Sequence, residues 1–246
     1  MSDESVSVEC PSPVARPVMV QSWNEIVFVH WRYDPSEVQR LLRAGVEVDT
    51  IDGSAWVGLI PFHMDGLGFP PSILHPLPHV GSFPEVNIRT YVRSRGRRGV
   101  YFLSLDIDRY LPAVVARLGY RIPYCVGDVR HVRVGDRVMS SVDRRWPSSG
   151  RGATASLSVR VGSAVDADPL TAFLTARWGL ISSNPYGRFG YAPVEHPAWQ
   201  LHEAEIEHLD QRLTTAAGLS APVGAPHVLF SAGTDVRIGW PKRLAQ

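Results

Sequence analysis

Phe83-Pro84-Glu85-Val86-Asn87-Ile88-Arg89-Thr90-Tyr91-Val92 is the stretch on which the reading of this chain turns. Successive side chains of a strand point to opposite faces, so Glu85, Asn87, Arg89 and Tyr91 share one face and Val86, Ile88, Thr90 and Val92 the other. The second set suits a hydrophobic core. The first is polar and fits either of two placements: a solvent-facing stripe on an amphipathic strand, or the inner wall of a closed sheet. Glu85 and Arg89 stand about 13 Å apart at ~3.3 Å per residue, with Asn87 between them, so they do not touch directly. On an inner wall a lone carboxylate has a raised pKa and can act as acid or base, and a guanidinium can hold a carboxylate or enolate oxygen.

The segments around this strand are mostly extended. Trp23–Tyr33 alternates, with Ile26, Phe28, His30 and Arg32 on one face and Val27, Val29, Trp31 and Tyr33 on the other. Strands are expected at Val46–Ile51, Ser54–Met64, Gly99–Asp106, Val129–Val134, Asp136–Asp143, Thr154–Val161, Gly187–Pro193, Trp199–Glu207 and Val228–Trp240. Asp52-Gly53 makes a hairpin turn, and Ser94–Arg98 joins the strand of Glu85 to the next. Asp34-Pro35-Ser36-Glu37 reads as a helix start with a capping box, followed by Val38, Leu41, Leu42 and a stop at Gly45. Further helices are expected at Asp108–Leu118, from Asp168-Pro169 through Trp178, and at His208–Ala217. Residues 65–83, with Pro70, Pro71, Pro76 and Pro78, form a long loop of the kind that is often functional. Many strands with short helices between them imply an α+β fold built on a curved antiparallel sheet or barrel. Residues 1–17 read as a flexible leader, and 18–246 as one domain.

Composition narrows the function. The 246 residues carry a net charge of +1, so no global field favours nucleic acid or membrane. Two cysteines, Cys10 and Cys125, are too few for a disulfide framework. The start Met1-Ser2-Asp3-Glu4-Ser5 has no apolar core, and no apolar run nears the ~20 residues of a membrane span. A reducing cytoplasm is therefore expected. Of the 25 lysines and arginines, only Lys242 is a lysine, and it sits near the C-terminal end. Imine chemistry needs an amine whose pKa is lowered by burial or a cationic neighbour, a condition that a tail position rarely meets. No phosphate-cradling glycine motif or G-x-S-x-G elbow is present. His202 and His208 flank a run of glutamates, but five residues lie between them where a zincin has three. His75 and His79 are separated by prolines that exclude a helix. Neither metal nor cofactor is expected. The basic residues Arg93, Arg95, Arg97 and Arg98 read as a solvated hairpin tip.

Six ordered segments between Trp23 and Arg237 resemble the YqjF-like family of uncharacterised bacterial proteins (domain-of-unknown-function family 2071). They are His30-Trp31-Arg32-Tyr33-Asp34-Pro35, Asp52 to Phe62, Phe83 to Val92, Ser104-Leu105-Asp106, His196-Pro197-Ala198-Trp199 and Asp235-Val236-Arg237-Ile238. That family is distantly similar in fold to acetoacetate decarboxylases, which implies a cone-shaped β-barrel with an interior pocket and flanking short helices. By this resemblance Glu85 matches the pocket glutamate. The nucleophilic lysine falls on Tyr124, its neighbouring lysine on Cys125, and the pocket arginine near Asn24. The fold carries over; imine-forming decarboxylation does not.

The expected catalytic set is therefore Glu85, Tyr124 and Arg89. His30, Arg32, His63, Asn87, Tyr91 and Cys125 are candidates for ligand binding, each with a purely structural role as the competing reading. Two functions stay open. One is a lyase, hydratase or cyclase acting by acid/base chemistry on a small organic acid or carbonyl compound. The other is a non-catalytic barrel that binds a small molecule. The partner is a small-molecule ligand or substrate. A homo-oligomer is possible through exposed edge strands.

Overall fold

A computed structural model describes residues 6–70, 81–109, 122–183 and 189–244. Thirteen strands in this part join in one sheet. The first, β1 (Pro17–Tyr33), starts six residues ahead of the alternation seen in the sequence. The next are β2 (Glu47–Val48), β3 (Ala55–Gly68), β4 (Phe83–Ser94), β5 (Arg97–Ile107), β6 (Tyr124–Val134), β7 (Arg137–Trp146) and β8 (Thr154–Val165). They are followed by β9 (Gly179–Ser183), β10 (Phe189–Glu195), β11 (Leu201–Gln211), β12 (His227–Gly239) and β13 (Lys242–Arg243).

Five strands, in the order β12-β1-β3-β4-β5, form the shared spine, all antiparallel. From β5 the sheet returns to β12 by two routes. One runs through β6, β7, β8 and β11; the other runs through β9 and β10. The joins are short: three residue pairs between β5 and β6, and two each for β11–β12 and β10–β12. The β5–β6 and β5–β9 pairings are parallel, a departure from the antiparallel sheet expected throughout.

This topology buries both faces of the spine. Val27, Val29, Leu59, Val86 and Ile88 enter one apolar cluster, with Val138, Val142, Leu157 and Val159 from β7 and β8. Ile26, Phe28, Ile60, Phe62 and Phe83 enter a second. The alternation of β4 is thus resolved: Val86 and Ile88 face the first core, and Glu85, Asn87, Arg89 and Tyr91 face the second side. Fully burying a side chain such as Ile88 contributes roughly 1.5–3 kcal/mol.

The turns follow their sequence. Asp52-Gly53 takes positive φ at both residues (52° and 73°), and Arg95-Gly96 does the same (53° and 76°), the geometry that matches strand twist in two-residue hairpins. The β4–β5 connection is therefore tighter than the five-residue joint expected.

Several expected elements differ. Helix α1 (Pro35–Gln39) is a single turn. Asp34 accepts from the Ser36 amide at 2.7 Å, and Glu37 accepts instead from the Ser220 amide, so the capping box does not close. Helix α2 (Pro169–Thr175) starts as expected, with Asp168 accepting from Thr171 at 2.6 Å, but ends before Trp178. The helix expected at His208–Ala217 begins as strand: β11 pairs with β8 as far as Gln211, and the helix is confined to α3 (Leu213–Ala216). Ala204, Ile206 and Leu209 pack on the first core, and this ladder outweighs local helix preference. The expected strand Val46–Ile51 shrinks to β2. The helix expected at Asp108–Leu118 and the proline loop fall largely outside the described residues. Residues 6–16, expected to be loose, hold on to the body of the protein. The Val14 amide donates to Glu195 (2.5 Å), and the Trp178 indole donates to the Ser7 carbonyl (2.9 Å). No helix of the described residues is long and apolar enough to cross a membrane.

Candidate functional site

The second face of the spine lines a cavity of about 300 Å³. Glu85 projects into it from β4 and is only 2% exposed. Its Oε2 accepts from the Tyr124 hydroxyl at 3.0 Å and its Oε1 from Asn87 Nδ2 at 3.4 Å. Burial pushes the Glu85 pKa up from 4.5 to about 7; the two hydrogen bonds pull it down, and the charge of Asp106 adds to the rise. Tyr124 reaches this position through the parallel join, where it pairs with Leu105, which itself pairs with Asn87. Burial and the neighbouring carboxylate both push its phenol well above 10. The pair thus combines a carboxyl that titrates near neutrality with a hydroxyl that keeps its proton.

Further along β4, Arg89 is 8% exposed. Its Nε donates to the Tyr91 hydroxyl (3.3 Å) and its Nη2 to the Leu174 carbonyl (3.4 Å), so the side chain leans away from Glu85. A second guanidinium, Arg177, lines the same cavity. It follows α2, is 6% exposed, and donates from Nε to Phe173 O and from Nη1 to Asp49 Oδ2, both at 2.7 Å. Both guanidiniums lie over the Tyr91 ring, at 5.6 and 4.7 Å from its centre. Asp49 also lies 3.4 Å from Arg93 and 3.5 Å from Arg98.

His196 lines the cavity beside Trp199, with ring centres 4.7 Å apart. Its Nδ1 donates to the Pro197 carbonyl at 2.7 Å, and burial lowers its pKa to about 4, so the ring is neutral. Trp23 stacks on Trp199 at 6.2 Å, and Phe62, Phe83 and Phe102 continue an aromatic wall. Four buried polar atoms on this lining have no hydrogen-bond partner among the described residues: Gln21 Oε1, Trp23 Nε1, Asn87 Oδ1 and Arg177 Nη2. Buried polar groups are nearly always satisfied, so such a group in one cavity points to an occupant.

The residues named from the sequence separate into two sets. Glu85, Asn87, Arg89 and Tyr124 come together on the cavity wall. The other five do not line it. Tyr91 is buried behind Arg89: its hydroxyl donates to Leu174 O (2.6 Å) and its ring meets Phe173 of α2, which closes that end. His30 sits 2.6 Å from the Tyr91 hydroxyl. Because that hydroxyl gives its proton to Leu174, His30 Nε2 is the donor and the ring a structural support. Burial holds the His30 pKa well below 6.5. Arg32 is exposed and covers the Trp56 ring at 4.9 Å. His63 and Cys125 are off the lining for one reason: their neighbours Phe62, Met64 and Tyr124 face the cavity, so alternation turns them away. His63 pairs with Asp65 at 3.5 Å, and Cys125 is buried. Sequence reading missed Arg177, Trp23 and Gln21. The only available signal, the shared segment ending in Trp199, pointed at His196 without giving it a role.

The chain shares its fold with acetoacetate-decarboxylase-like proteins. The enduracididine biosynthesis enzyme MppR, solved in complex with pyruvate, superposes with a TM-score of 0.65 at 17% identity, over 96% of this chain and 93% of that one. An acetoacetate decarboxylase-like enzyme from Sphingomonas wittichii RW1 gives 0.64 at 18% identity, over 96% of each chain. Acetoacetate decarboxylase from Legionella pneumophila gives 0.61 at 14%, over 96% and 92%. Within this fold the chain belongs to domain-of-unknown-function family 2071, an uncharacterised conserved protein family whose pattern matches residues 20–235. The uncharacterised protein YqjF of Bacillus subtilis (strain 168) is 31% identical over 226 residues, 92% of either chain.

Proposed function

We propose that this protein is a small-molecule enzyme working by acid/base chemistry inside the half-barrel enclosed by the spine, β9 and β10. Glu85 carries the proposal: a buried carboxyl titrating near 7, donated to by Tyr124, on the wall of an aromatic cavity with unsatisfied polar atoms. A group with that pKa exists in both protonation states at neutral pH and can take a proton from carbon or oxygen and return it. The Tyr124 hydroxyl gives its one proton to Glu85 Oε2 and so holds that carboxyl oriented toward the cavity. The substrate class is a small organic acid or carbonyl compound, and the reaction is of lyase, hydratase or cyclase type. Solved proteins of this fold include a biosynthetic enzyme bound to pyruvate, which supports a carbonyl-bearing substrate. Imine chemistry is not part of the proposal, because the single lysine, Lys242, lies exposed on β13 and is not among the residues lining the cavity of Glu85.

Glu85→Gln tests the reading. The amide keeps the shape and one acceptor oxygen but cannot transfer a proton. The expected outcome is a loss of roughly 10²–10⁴ in turnover with ligand affinity retained. Turnover equal to that of the unaltered protein would sink the acid/base role and favour the alternative, a barrel that only binds its ligand.

A further inference from the structure

Arg177 takes no part in the acid/base reading, yet it is a buried cation on the cavity lining whose Nη2 has no acceptor among the described residues. We infer that Arg177 and Arg89 together form a carboxylate seat, and that the ligand is an elongated, largely apolar or aromatic monocarboxylate lying between this seat and Glu85. The inference deepens the proposed function and rests on the same cavity.

The first argument is charge. Arg177 shares the carboxylate of Asp49 with Arg93 and Arg98, at N–O distances of 2.7, 3.4 and 3.5 Å. Arg89 is a second buried guanidinium on the cavity wall, and its acceptors among the described residues are the neutral oxygens of Tyr91 and Leu174. A buried charge without a counter-ion is costly, and a ligand carboxylate relieves the cost.

The second argument is geometry. Nε and Nη1 of Arg177 are taken by Phe173 O and Asp49, which fixes the guanidinium plane. Nη2 is then left buried and without an acceptor among the described residues. The guanidinium carbons of Arg89 and Arg177 lie 5.6 and 4.7 Å from the centre of the same Tyr91 ring, and both side chains line the one cavity. A carboxylate, with two acceptor oxygens, suits guanidinium donors of this kind.

The third argument is length and lining. Glu85 and Arg89 are about 13 Å apart along β4 at ~3.3 Å per residue, and Arg89 leans further off toward Tyr91. One small acid of the size of pyruvate cannot touch both ends. The wall between them is aromatic, with Trp23 and Trp199 stacked and Phe62 and Phe102 beside them. Trp23, Gln21 and Asn87 line the same cavity, and the indole Nε1 and the two amide oxygens have no partner among the described residues, so these side chains suit the polar end of the ligand that faces Glu85.

Tryptophan fluorescence titration of the full chain tests this, because Trp23 and Trp199 line the site. The probes are 3-phenylpropanoate and 5-phenylpentanoate, their primary amides, and acetate. We expect 5-phenylpentanoate to bind at least ~30-fold tighter than its amide, which is about 2 kcal/mol at 1.4 kcal/mol per factor of ten. Acetate should bind much more weakly still. Arg177→Gln should reduce the acid-to-amide ratio to about 3 or less, and Arg177→Lys should restore part of it. Arg137→Gln, at an exposed arginine paired with Glu207 and off the cavity lining, should leave the ratio unchanged. If Arg177→Gln fails to fold because Asp49 loses its nearest partner, the acid-to-amide ratio on the unaltered protein still decides. Equal affinity for acid and amide overturns the seat even if Glu85 proves catalytic. An Arg177-dependent preference for acids upholds the seat even if no turnover is ever found.

Discussion

Glu85 makes stability depend on pH in a way that its amide variant isolates. The carboxyl titrates at about 7 in the folded protein against 4.5 when unfolded, because burial disfavours its charged form. Between those values the folded state holds a proton that the unfolded state has lost. The folded-state pKa is raised, so Glu85 costs nothing below about pH 4.5 and progressively destabilises the protein as pH rises toward 7. A separation of 2.5 units at 1.36 kcal/mol per unit gives about 3 kcal/mol, fully expressed by about pH 8. With a side chain 2% exposed, solvent screening removes little of this. Glu85→Gln abolishes the titration. Urea unfolding of the two proteins at about pH 4.5 and pH 8 should therefore show the variant's relative stability rising by about 3 kcal/mol between the two conditions. Contributions from His30, His131 and His196 cancel in the difference, since both proteins share them. Any fixed cost of fitting the amide against Tyr124 and Asn87 cancels as well. A relative stability that is flat with pH would mean that Glu85 titrates normally, and the argument for an acid/base role would fall with it.

Two further outcomes follow from the same contacts. Tyr124→Phe keeps the ring but removes the hydrogen bond that holds the Glu85 pKa down, so the pH-rate profile or a direct titration of Glu85 should shift upward from about 7, with turnover reduced; an unmoved inflection would show that the 3.0 Å contact is not made in solution. Arg144 and Asp106 tie β7 to β5 through a buried two-bond pair of 2.7 and 2.6 Å, so Arg144→Met should cost roughly 3–5 kcal/mol in urea unfolding while Arg144→Met with Asp106→Leu recovers most of the loss. A double variant no more stable than the single would refute the view that the unpaired acid is the source of the cost.

Strand alternation made much of this protein legible in its sequence. The residues of β4 are local evidence enough to separate Val86 and Ile88 from Glu85, Asn87 and Arg89, because the period of two is a property of the backbone. The same rule, applied to Tyr124 and Phe62, excludes Cys125 and His63 from the cavity wall once the facing side is known. The hairpin turn at Asp52-Gly53 was readable for a related reason: positive φ is a local demand that few residues meet. The joint at Ser94–Arg98 was legible as a hairpin, but its two-residue turn at Arg95-Gly96 was not. Helix expectations fared worse at His208–Ala217, where pairing with β8 prevailed over local pattern. His30 and Tyr91 share alternation with the site residues, but α2 packs over their end, and no local signal announces that.

Sequence alone therefore determined the chemistry on offer: one carboxylate and one guanidinium on a single strand face, a tyrosine at the place of a lysine by family resemblance, and a lone tail lysine. Tertiary structure decided which way that face points and what stands opposite it. The spine turns both its sides inward because two runs of strands return from β5 to β12, and this strips water from Glu85 and lifts its pKa toward 7. Arg177 joins Arg89 over one ring although 88 positions of chain separate them, through β9's short join to β5 and the seating of α2 against Tyr91. Contacts between residues so distant along the chain are set by packing of the whole sheet, which no local period encodes.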